Sequence, residues 1–500
     1  MRTKPDQPVL FWGVLVAVCI ATPFAIVGTP PLVDLPQHAA QIVMFGDALS
    51  GDPTWSIHPF TPYLMSYVVM GGFMASLGAR AGAVVAAVFV AIAWALSLFL
   101  IARRNQRPLS SAALASLFVF SSLLAWGFLN FLLGWPLFVL WFLALERESE
   151  SPRERVLVLV LGALLAMAHV LWFAVGLGWL LTTVRRVDRS VFAWRVAAVL
   201  PIIVVLAIWY PSLASEGFDG QTRWITTPLQ RLEPSWLIAS CFGALQWTRQ
   251  LPVALAVVCW IGLGLVGHWG ALSERIDRRL LLLAVFLGLM ALLLPDNHNR
   301  TIRFAARWAP HAGALAVLAL PAPRLSPRLR AALVVVVLGL STSQIASAWH
   351  TWRVHDLDPM FEVSKAIPDD GGPIMGLDFR QYSRFVAGRP TMHAHVWLQV
   401  ERGLLPHFSF ASHAVCPVHW AAGGPPWGDL SGVSWLPETL SPDDLVSFGH
   451  LVVRGKPGLH DELAGYSWLE PLSRAGEWAV YRVGDQTEVP SGRIDAAPPK

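Results

Sequence analysis

Asp34 and His38 stand four residues apart in a polar segment that follows the first long apolar block of the chain. On a helix this spacing places both side chains on one face. A carboxylate beside an apolar block suits a general base that takes the proton from a hydroxyl group, because exclusion of bulk water raises the cost of leaving it unpaired. We therefore predict Asp34 and His38 as catalytic residues.

Both residues also have structural interpretations. Asp34 is followed three residues later by Gln37, with Pro36 between them, which is the pattern of a capping box at a helix amino terminus. His38 can equally be a packed histidine at an interface. Asp47 and Asp52, farther along the same segment, are predicted to be solvated turn residues.

A second polar cluster runs from Asp296 to Arg307 and contains His298, Arg300 and Arg303. Arginine forks bind phosphate oxygens through two parallel hydrogen bonds. The cluster therefore predicts a substrate site for a lipid phosphate. The alternative is that its arginines pair with Asp296 or with lipid headgroups.

Two more polar residues, Asn130 and His169, lie where apolar blocks meet. They are candidate substrate-binding residues, although residues in such places more often satisfy helix ends. The C-terminal third adds several metal-capable side chains whose spacing matches no zinc motif: His393, His395, His407, His413, Cys416 and His419. No metal ligand is predicted from this spacing.

The composition indicates a membrane protein. Of 500 residues, 55% are hydrophobic and only 14% are charged, which is too apolar for a soluble chain of this length. The net charge of +4 gives no reason to expect a nucleic-acid partner.

About eleven apolar blocks approach the roughly 20 residues that cross a bilayer; they lie near 10–27, 82–101, 110–126, 131–145, 156–168, 170–184, 193–210, 251–269, 280–295, 309–321 and 331–348.

Arginine clusters between these blocks predict the topology. Under the positive-inside rule they share the cytoplasmic face, provided that the apolar stretch 59–77 lies along the outer interface and does not cross. The outer face then holds the loop 28–80, the segment 211–250, the Asp296 cluster and everything after His350. The block 10–27 is predicted to be an uncleaved first helix.

The chain after residue 349 has a different composition. Short β-like runs at 374–377, 451–453 and 479–483 alternate with amphipathic and Pro/Gly-rich stretches. We predict a transmembrane domain over 1–349, a periplasmic α/β or mixed domain over 350–485, and a disordered tail over 486–500.

This layout resembles the membrane glycosyltransferases of the GT-C fold, especially bacterial protein mannosyltransferases and lipid A aminoarabinose transferases. In that family the first span precedes an outer loop that opens with an acidic residue, and a proline element then introduces a second juxtamembrane helix. Here Asp34 takes the acidic position, the segment 59–64 (Pro-Phe-Thr-Pro-Tyr-Leu) takes the proline element, and Gly78-Ala79-Arg80 precedes the span that ends in Arg103-Arg104.

Two positions depart from the family pattern. Leu35 follows Asp34 where a second acidic residue is usual, and His58 replaces the usual lysine before the proline element, which puts the donor in doubt. We retain His58 as a candidate substrate-binding residue.

The resemblance implies an all-α polytopic bundle in a bacterial inner membrane and an inverting sugar transfer from a polyprenyl-phosphate carrier to an unidentified acceptor. Asp34 would be the base, and Arg303 with Arg300 would stabilise the leaving phosphate. His38 would orient Asp34 or hold a divalent ion, which some relatives use. A flippase for a lipid-linked precursor and a non-catalytic assembly protein are the competing hypotheses.

Overall fold

The computed structural model describes residues 9–59, 61–146, 151–185, 187–214, 221–299 and 301–484. The disordered tail predicted for 486–500 lies outside these residues. The helices are, in chain order, α1 (Val9–Val27), α2 (Leu35–Leu49), α3 (Leu64–Leu77), α4 (Ala79–Arg104), α5 (Leu109–Ala115), α6 (Ser122–Trp126), α7 (Leu129–Leu145), α8 (Pro152–Ala168), α9 (Val170–Thr182), α10 (Arg189–Ala214), α11 (Pro234–Cys241), α12 (Trp247–Gly267), α13 (Leu272–Arg275), α14 (Arg278–Leu293), α15 (Ala309–Ala319), α16 (Pro327–Trp352), α17 (Asp358–Ser364), α18 (Trp397–Arg402), α19 (Ser431–Trp435) and α20 (Pro457–Leu463). The strands are β1 (Trp55–Ile57), β2 (Thr222–Arg223), β3 (Asn297–His298), β4 (Ile374–Asp378), β5 (Val418–Trp420), β6 (His450–Arg454), β7 (Leu469–Ala475) and β8 (Trp478–Val483).

The chain is a multi-pass membrane protein. Within the described ranges, six helical segments are long and apolar enough to cross a bilayer: Val9–Val27, Ala79–Arg104, Leu109–Trp126, Arg189–Pro211, Trp247–Gly267 and Pro327–Ser364. Every apolar block identified in the sequence overlaps one of these segments or a shorter helix. The mainly helical membrane architecture is therefore confirmed, while the count of about eleven crossings stays a prediction.

Helix α3 has the dimensions of a helix that does not cross. Its 14 residues extend for about 21 Å at 1.5 Å per residue, which is less than the hydrocarbon thickness of about 30 Å. Gly78, with φ +85°, ends α3, and α4 begins at the next residue. The close approach of the Met74 backbone leaves no room for a side chain at Gly82, so α3 and the start of α4 form a tight hairpin.

The chain divides into two compact units. Unit 1 comprises residues 1–26, 60–66 and 87–347, and unit 2 comprises 27–59, 67–86 and 348–500. Much of the predicted outer loop therefore belongs to the same compact unit as the C-terminal residues.

Within unit 1, arginines fix the ends of several helices to one another. The Arg107 guanidinium donates to the carbonyls of Leu318, Ala319 and Leu320, at 2.5 to 2.7 Å, and so satisfies the last turn of α15. It also donates to Arg275 O at 2.8 Å, beside α14. These contacts place Arg107 beside the last turn of α15 and beside Arg275 at the end of α13.

Unit 2 contains a four-stranded mixed sheet in the order β4-β6-β8-β7, in which only β4 and β6 are parallel. Its apolar face is buried under short helices, with Met375, Leu451 and Tyr481 among its core residues. Strands β4, β6 and β8 fall on the three β-like runs identified in the sequence. A second pairing, β1 with β5, joins residues 55–57 to residues 418–420.

Candidate active site

Asp34 occupies the N-cap position of α2 but does not cap it. Its backbone is in the right-handed helical region and its side chain makes no capping hydrogen bond. The residue is only 7% exposed. Its Oδ1 lies 3.3 Å from Nδ1 of His393, an equally buried histidine from the C-terminal part of unit 2. The capping interpretation of Asp34 is therefore wrong, and the carboxylate is available for another role.

Gln37 does not take part in the capping box that its spacing from Asp34 suggests. Its side-chain amide donates to Phe408 O at 3.1 Å and accepts from Phe410 N at 3.0 Å. One turn later Gln41 repeats the arrangement with Val418, donating at 3.2 Å and accepting at 3.0 Å. Two buried glutamines thus fasten the helix that follows Asp34 to the segment 408–418.

His38 lies on the same helix and is also 7% exposed. Its Nδ1 is 3.0 Å from the Tyr67 hydroxyl, which in turn is 3.6 Å from Cys416 Sγ. The His38 ring also packs edge-on against Phe410 at 5.4 Å. Burial, reinforced by the nearby Asp34 charge, raises the pKa of Cys416 to about 12, so this thiol stays protonated at neutral pH.

The histidines near His393 are neutral in the folded protein. The His395 and His407 rings stack at 5.2 Å. Burial lowers the pKa of His407 to about 3 and that of His395 well below its usual value. Gly376 on β4 has no side chain where the His395 ring packs against its backbone. In the part of the chain that the structure describes, no three His, Cys, Asp or Glu side chains are arranged to hold a metal ion.

His58 is exposed and follows β1. Its ring stacks on His419 with a centroid distance of 4.1 Å and an interplanar angle of 12°. Its backbone N–H donates to Pro417 O at 2.8 Å. The stacked pair extends the β1–β5 connection, and its exposure leaves it accessible to a ligand.

The predicted phosphate cluster lies in unit 1. Arg303 has a φ of +51°, an uncommon conformation for a residue with a side chain, and its backbone N–H donates to Asn297 Oδ1 at 3.2 Å. Its guanidinium lies 5.0 Å from the centroid of the Trp126 ring. His298 Nδ1 is 3.0 Å from Thr222 Oγ1, across the β2–β3 pair. Arg300 lies outside the described residues.

Arg307 continues this cluster around the turn between α6 and α7. Its guanidinium lies 4.3 Å from the Phe128 ring centroid and donates to Ile302 O. Arg303 and Arg307 therefore place two guanidinium groups against aromatic rings on either side of Gly127, whose φ of +78° allows the tight turn. Cation–π contacts of this kind hold a guanidinium plane in a fixed orientation.

Asp296 pairs with Arg231, a residue that the sequence pattern did not single out. Arg231 Nη2 is 2.9 Å from Asp296 Oδ2, and the arginine is completely buried. Although burial acts in the opposite direction, hydrogen bonds from Thr226 and Ile225 and from Arg231 lower the pKa of Asp296. The Asp296 carboxylate is therefore committed to holding the segment after β2.

His169 and Asn130 have structural contacts at the same end of unit 1. His169 joins α8 to α9, and its Nδ1 accepts from Leu171 N at 3.2 Å, which caps α9. Asn130 Oδ1 accepts a hydrogen bond from the Ser66 hydroxyl. Phe131 lies edge-on to His169 at 5.0 Å and also contacts Arg307. The structure thus brings His169 and the arginine cluster together around one aromatic ring.

Comparison with solved structures identifies the fold. The chain is similar to the arabinofuranosyltransferase AftD from Mycobacteria, with a TM-score of 0.51 and 17% sequence identity over 97% of this chain and 42% of that one. It also matches ArnT from Cupriavidus metallidurans bound to undecaprenyl phosphate (TM-score 0.44, 13% identity, 95% of this chain and 98% of that one). The apo form of ArnT gives a TM-score of 0.41 at 13% identity, over 94% and 97% of the two chains.

The likeness to AftD confirms the predicted GT-C-like fold. The chain spans less than half the length of AftD. No protein-family model matches the sequence, and no characterised protein matches it by sequence comparison.

Proposed function

We propose that this protein is a membrane glycosyltransferase that moves a sugar from a polyprenyl-phosphate carrier to an acceptor at the outer face of a bacterial inner membrane. The observation that carries the proposal is the state of Asp34, whose buried carboxylate does not cap the helix that it precedes. A buried carboxylate without a structural hydrogen bond to its own helix is suited to proton transfer. The GT-C-like fold supports sugar transfer as the reaction.

The proposed reaction is an inverting displacement at the anomeric carbon. The acceptor hydroxyl oxygen attacks that carbon while Asp34 takes the hydroxyl proton. The bond between the anomeric carbon and the phosphate oxygen breaks, and its electron pair leaves with the carrier phosphate. Arg303, together with Arg300, stabilises the charge on that phosphate.

The remaining candidate residues have narrower roles in this proposal. His38, whose Nδ1 lies 3.0 Å from the Tyr67 hydroxyl, is proposed to orient Asp34 or to hold a divalent ion. His58, His298, His169 and Asn130 are proposed to contact or shape the substrate. The described side chains near Asp34 do not form a metal site, so no step of the reaction is assigned to a divalent ion.

The first test compares cells with and without the protein. Envelope glycans and polyprenyl-linked sugars are extracted and analysed by mass spectrometry. If the protein is a glycosyltransferase, cells that lack it should lose one sugar from a glycan and accumulate the matching polyprenyl-phosphate sugar. If the protein is a flippase, the lipid-linked sugar should also accumulate in cells that lack it, but the purified protein should transfer no sugar. That result would overturn the proposal.

The second test replaces Asp34 with Asn in the purified protein. The substitution keeps the side-chain volume and removes the basicity, so transfer from the identified polyprenyl-phosphate sugar falls by about 10²- to 10⁴-fold. Asp47→Asn is the matched control, because Asp47 is an exposed aspartate near the other end of α2. Equal activity of the wild type and Asp34→Asn would remove Asp34 from the reaction.

A further inference from the structure

His393 is a buried imidazole that lacks a conventional hydrogen bond on either ring nitrogen. It is only 4% exposed, and its Nδ1 lies 3.3 Å from Asp34 Oδ1. We propose that His393 is a positioning residue for the transfer reaction, in which the Nδ1 proton is directed at Asp34 and fixes the orientation of the base. The inference rests on the proposed function, because it assigns His393 a role in that reaction.

The favoured tautomer of a neutral His393 ring follows from the position of Asp34. A buried polar group without a partner costs free energy, and a buried carboxylate costs more. A neutral imidazole carries one N–H, on either Nδ1 or Nε2. Placing it on Nδ1 puts an N–H beside the Asp34 carboxylate, 3.3 Å from Nδ1 to Oδ1, whereas placing it on Nε2 leaves a nitrogen lone pair beside a carboxylate oxygen. The tautomer with the proton on Nδ1 is therefore favoured.

His393 is linked to the helix that follows Asp34 through Phe408 and Phe410. The His393 ring packs on Phe408 at 5.4 Å and lies edge-on to Phe410 at 6.1 Å. The backbone of these two phenylalanines is held by Gln37, one turn after Asp34 on α2. The segment that packs against His393 is thus bound to the helix that follows Asp34.

This arrangement gives the two oxygens of the Asp34 carboxylate different roles. Oδ1 faces His393, which leaves Oδ2 to accept the proton of the acceptor hydroxyl as its oxygen attacks the anomeric carbon. A carboxylate that can rotate would present neither oxygen in a fixed direction. Misplacement of a reacting group by about 1 Å lowers rates by about 10²-fold. Loss of the Nδ1 donor should therefore lower kcat more than it raises KM.

Three substitutions separate the roles of the two ring nitrogens. The side-chain amide of Asn reaches the position of Nδ1, whereas that of Gln reaches the position of Nε2. We expect His393→Asn to stay within a few-fold of the wild type in transfer from the polyprenyl-phosphate sugar, while His393→Gln and His393→Ala lose about 10²-fold. His450→Asn is the matched control, because His450 is also buried with an unpaired Nε2 and its Nδ1 faces the carbonyl of Gly371.

Each other pattern contradicts the inference. Full activity of all three variants would show that His393 has no role, and rescue by Gln alone would place the needed group at Nε2. Equal loss in all three would show that the imidazole itself transfers the proton. Thermal midpoints of the purified variants are compared with that of His450→Asn, so that a general loss of folding is recognised.

A spectroscopic measurement tests the pair without depending on activity. In full-length protein labelled with ¹⁵N-histidine, the His393 resonance is assigned by its disappearance in His393→Asn. We expect a protonated Nδ1 and a bare Nε2 in the wild type, and a changed tautomer balance in Asp34→Asn. Unchanged His393 shifts in Asp34→Asn would overturn the pairing. If the pairing is found and Asp34→Asn remains fully active, the assignment of Asp34 as the base fails while the contact stands. If the pairing is found and the wild-type protein transfers no sugar, the proposed function fails while the contact stands.

Discussion

The guanidinium of Arg303 lies 5.0 Å from the centroid of the Trp126 ring, on a backbone with a φ of +51°. The Trp126 ring therefore holds the planar guanidinium group of Arg303 at the end of unit 1 where Arg307 and His169 also lie. A fork held in one orientation suits a phosphate with two oxygens in the same plane.

This relationship separates the geometry of Arg303 from its charge. Arg303→Lys keeps the charge but loses the fork, and use of the polyprenyl-phosphate donor should fall roughly tenfold or more, since a hydrogen bond to a charged group contributes about 1.5 to 3 kcal/mol. Arg303→Ala should fall at least as far. Lysine and alanine would both occupy the same left-handed backbone conformation at position 303. A difference between the two variants therefore reports the side chain and not backbone strain.

Donor binding and turnover of purified protein provide the measurement. If the arginine only meets lipid headgroups, lysine should serve almost as well, because either residue contributes about 1 kcal/mol at an anionic surface. Near-equality of the wild type and Arg303→Lys, with only Arg303→Ala impaired, would therefore reject the fork.

The topology predicted from the arginine clusters has its own test. A reporter fused after Arg104, at the end of α4, should be cytoplasmic, and one fused after Trp352, at the end of α16, should be periplasmic. The two ends differ because nine of the eleven predicted crossings lie between them, and the side of each follows from the prediction that α3 lies along the membrane surface. Alkaline phosphatase and green fluorescent protein fusions report the two sides. If α3 crosses the membrane, the two results are exchanged, with Arg104 periplasmic and Trp352 cytoplasmic. The same side for both fusions would mean that the number of crossings between Arg104 and Trp352 is even, not nine.

Local patterns predicted much of the fold. Apolar length located the long helices but not short ones such as α11 and α17–α20, and three β-like runs located β4, β6 and β8, because both signals are carried by neighbouring residues. Strand β7, which includes Pro471 and a register shift where it pairs with β8, was not identified. Proline and an irregular register both weaken the period-two pattern on which strand identification depends.

The candidate site was only partly predictable for a related reason. Asp34 was identified from its position after the first span, but its partner His393 is supplied by the C-terminal part of the chain. Gln37 shows the same limit, since its spacing from Asp34 indicates a capping box while its amide binds a backbone 371 residues away. Arg231 likewise acquires its role only when Asp296 is brought to it by folding.

The glutamines on α2 should be structural residues with a measurable effect on stability. Gln37→Leu has a similar size and leaves Phe408 O and Phe410 N without their side-chain partner, at a cost of about 1 to 3 kcal/mol for each buried unsatisfied group. The thermal midpoint of the purified protein should fall. Gln37→Glu keeps the acceptor for Phe410 N but loses the donor to Phe408 O, and should destabilise for that reason. An unchanged midpoint in Gln37→Leu would contradict the role assigned to this clamp.

The buried histidines His395 and His407 should make the protein sensitive to acid. Burial holds the pKa of His407 at about 3 and that of His395 well below its usual value, whereas in the unfolded chain both protonate near pH 6.5. Above that pH both states are neutral and the histidines have no effect on the pH dependence. As the pH falls from about 6.5 towards 3, the unfolded chain takes up protons that the native protein does not.

The free energy of unfolding should therefore decrease on acidification by up to about 1.4 kcal/mol per pH unit for each histidine. Thermal midpoints measured at several pH values between 8 and 5 give the slope. His407→Gln keeps a donor for Ser434 Oγ, which lies 2.8 Å from His407 Nε2, and removes one titrating group, so its slope should be shallower. His355→Gln is the control for replacing a histidine by glutamine, because the His355 ring is exposed in the native protein. A slope equal to that of the wild type in His407→Gln would show that His407 does not resist protonation in the folded state.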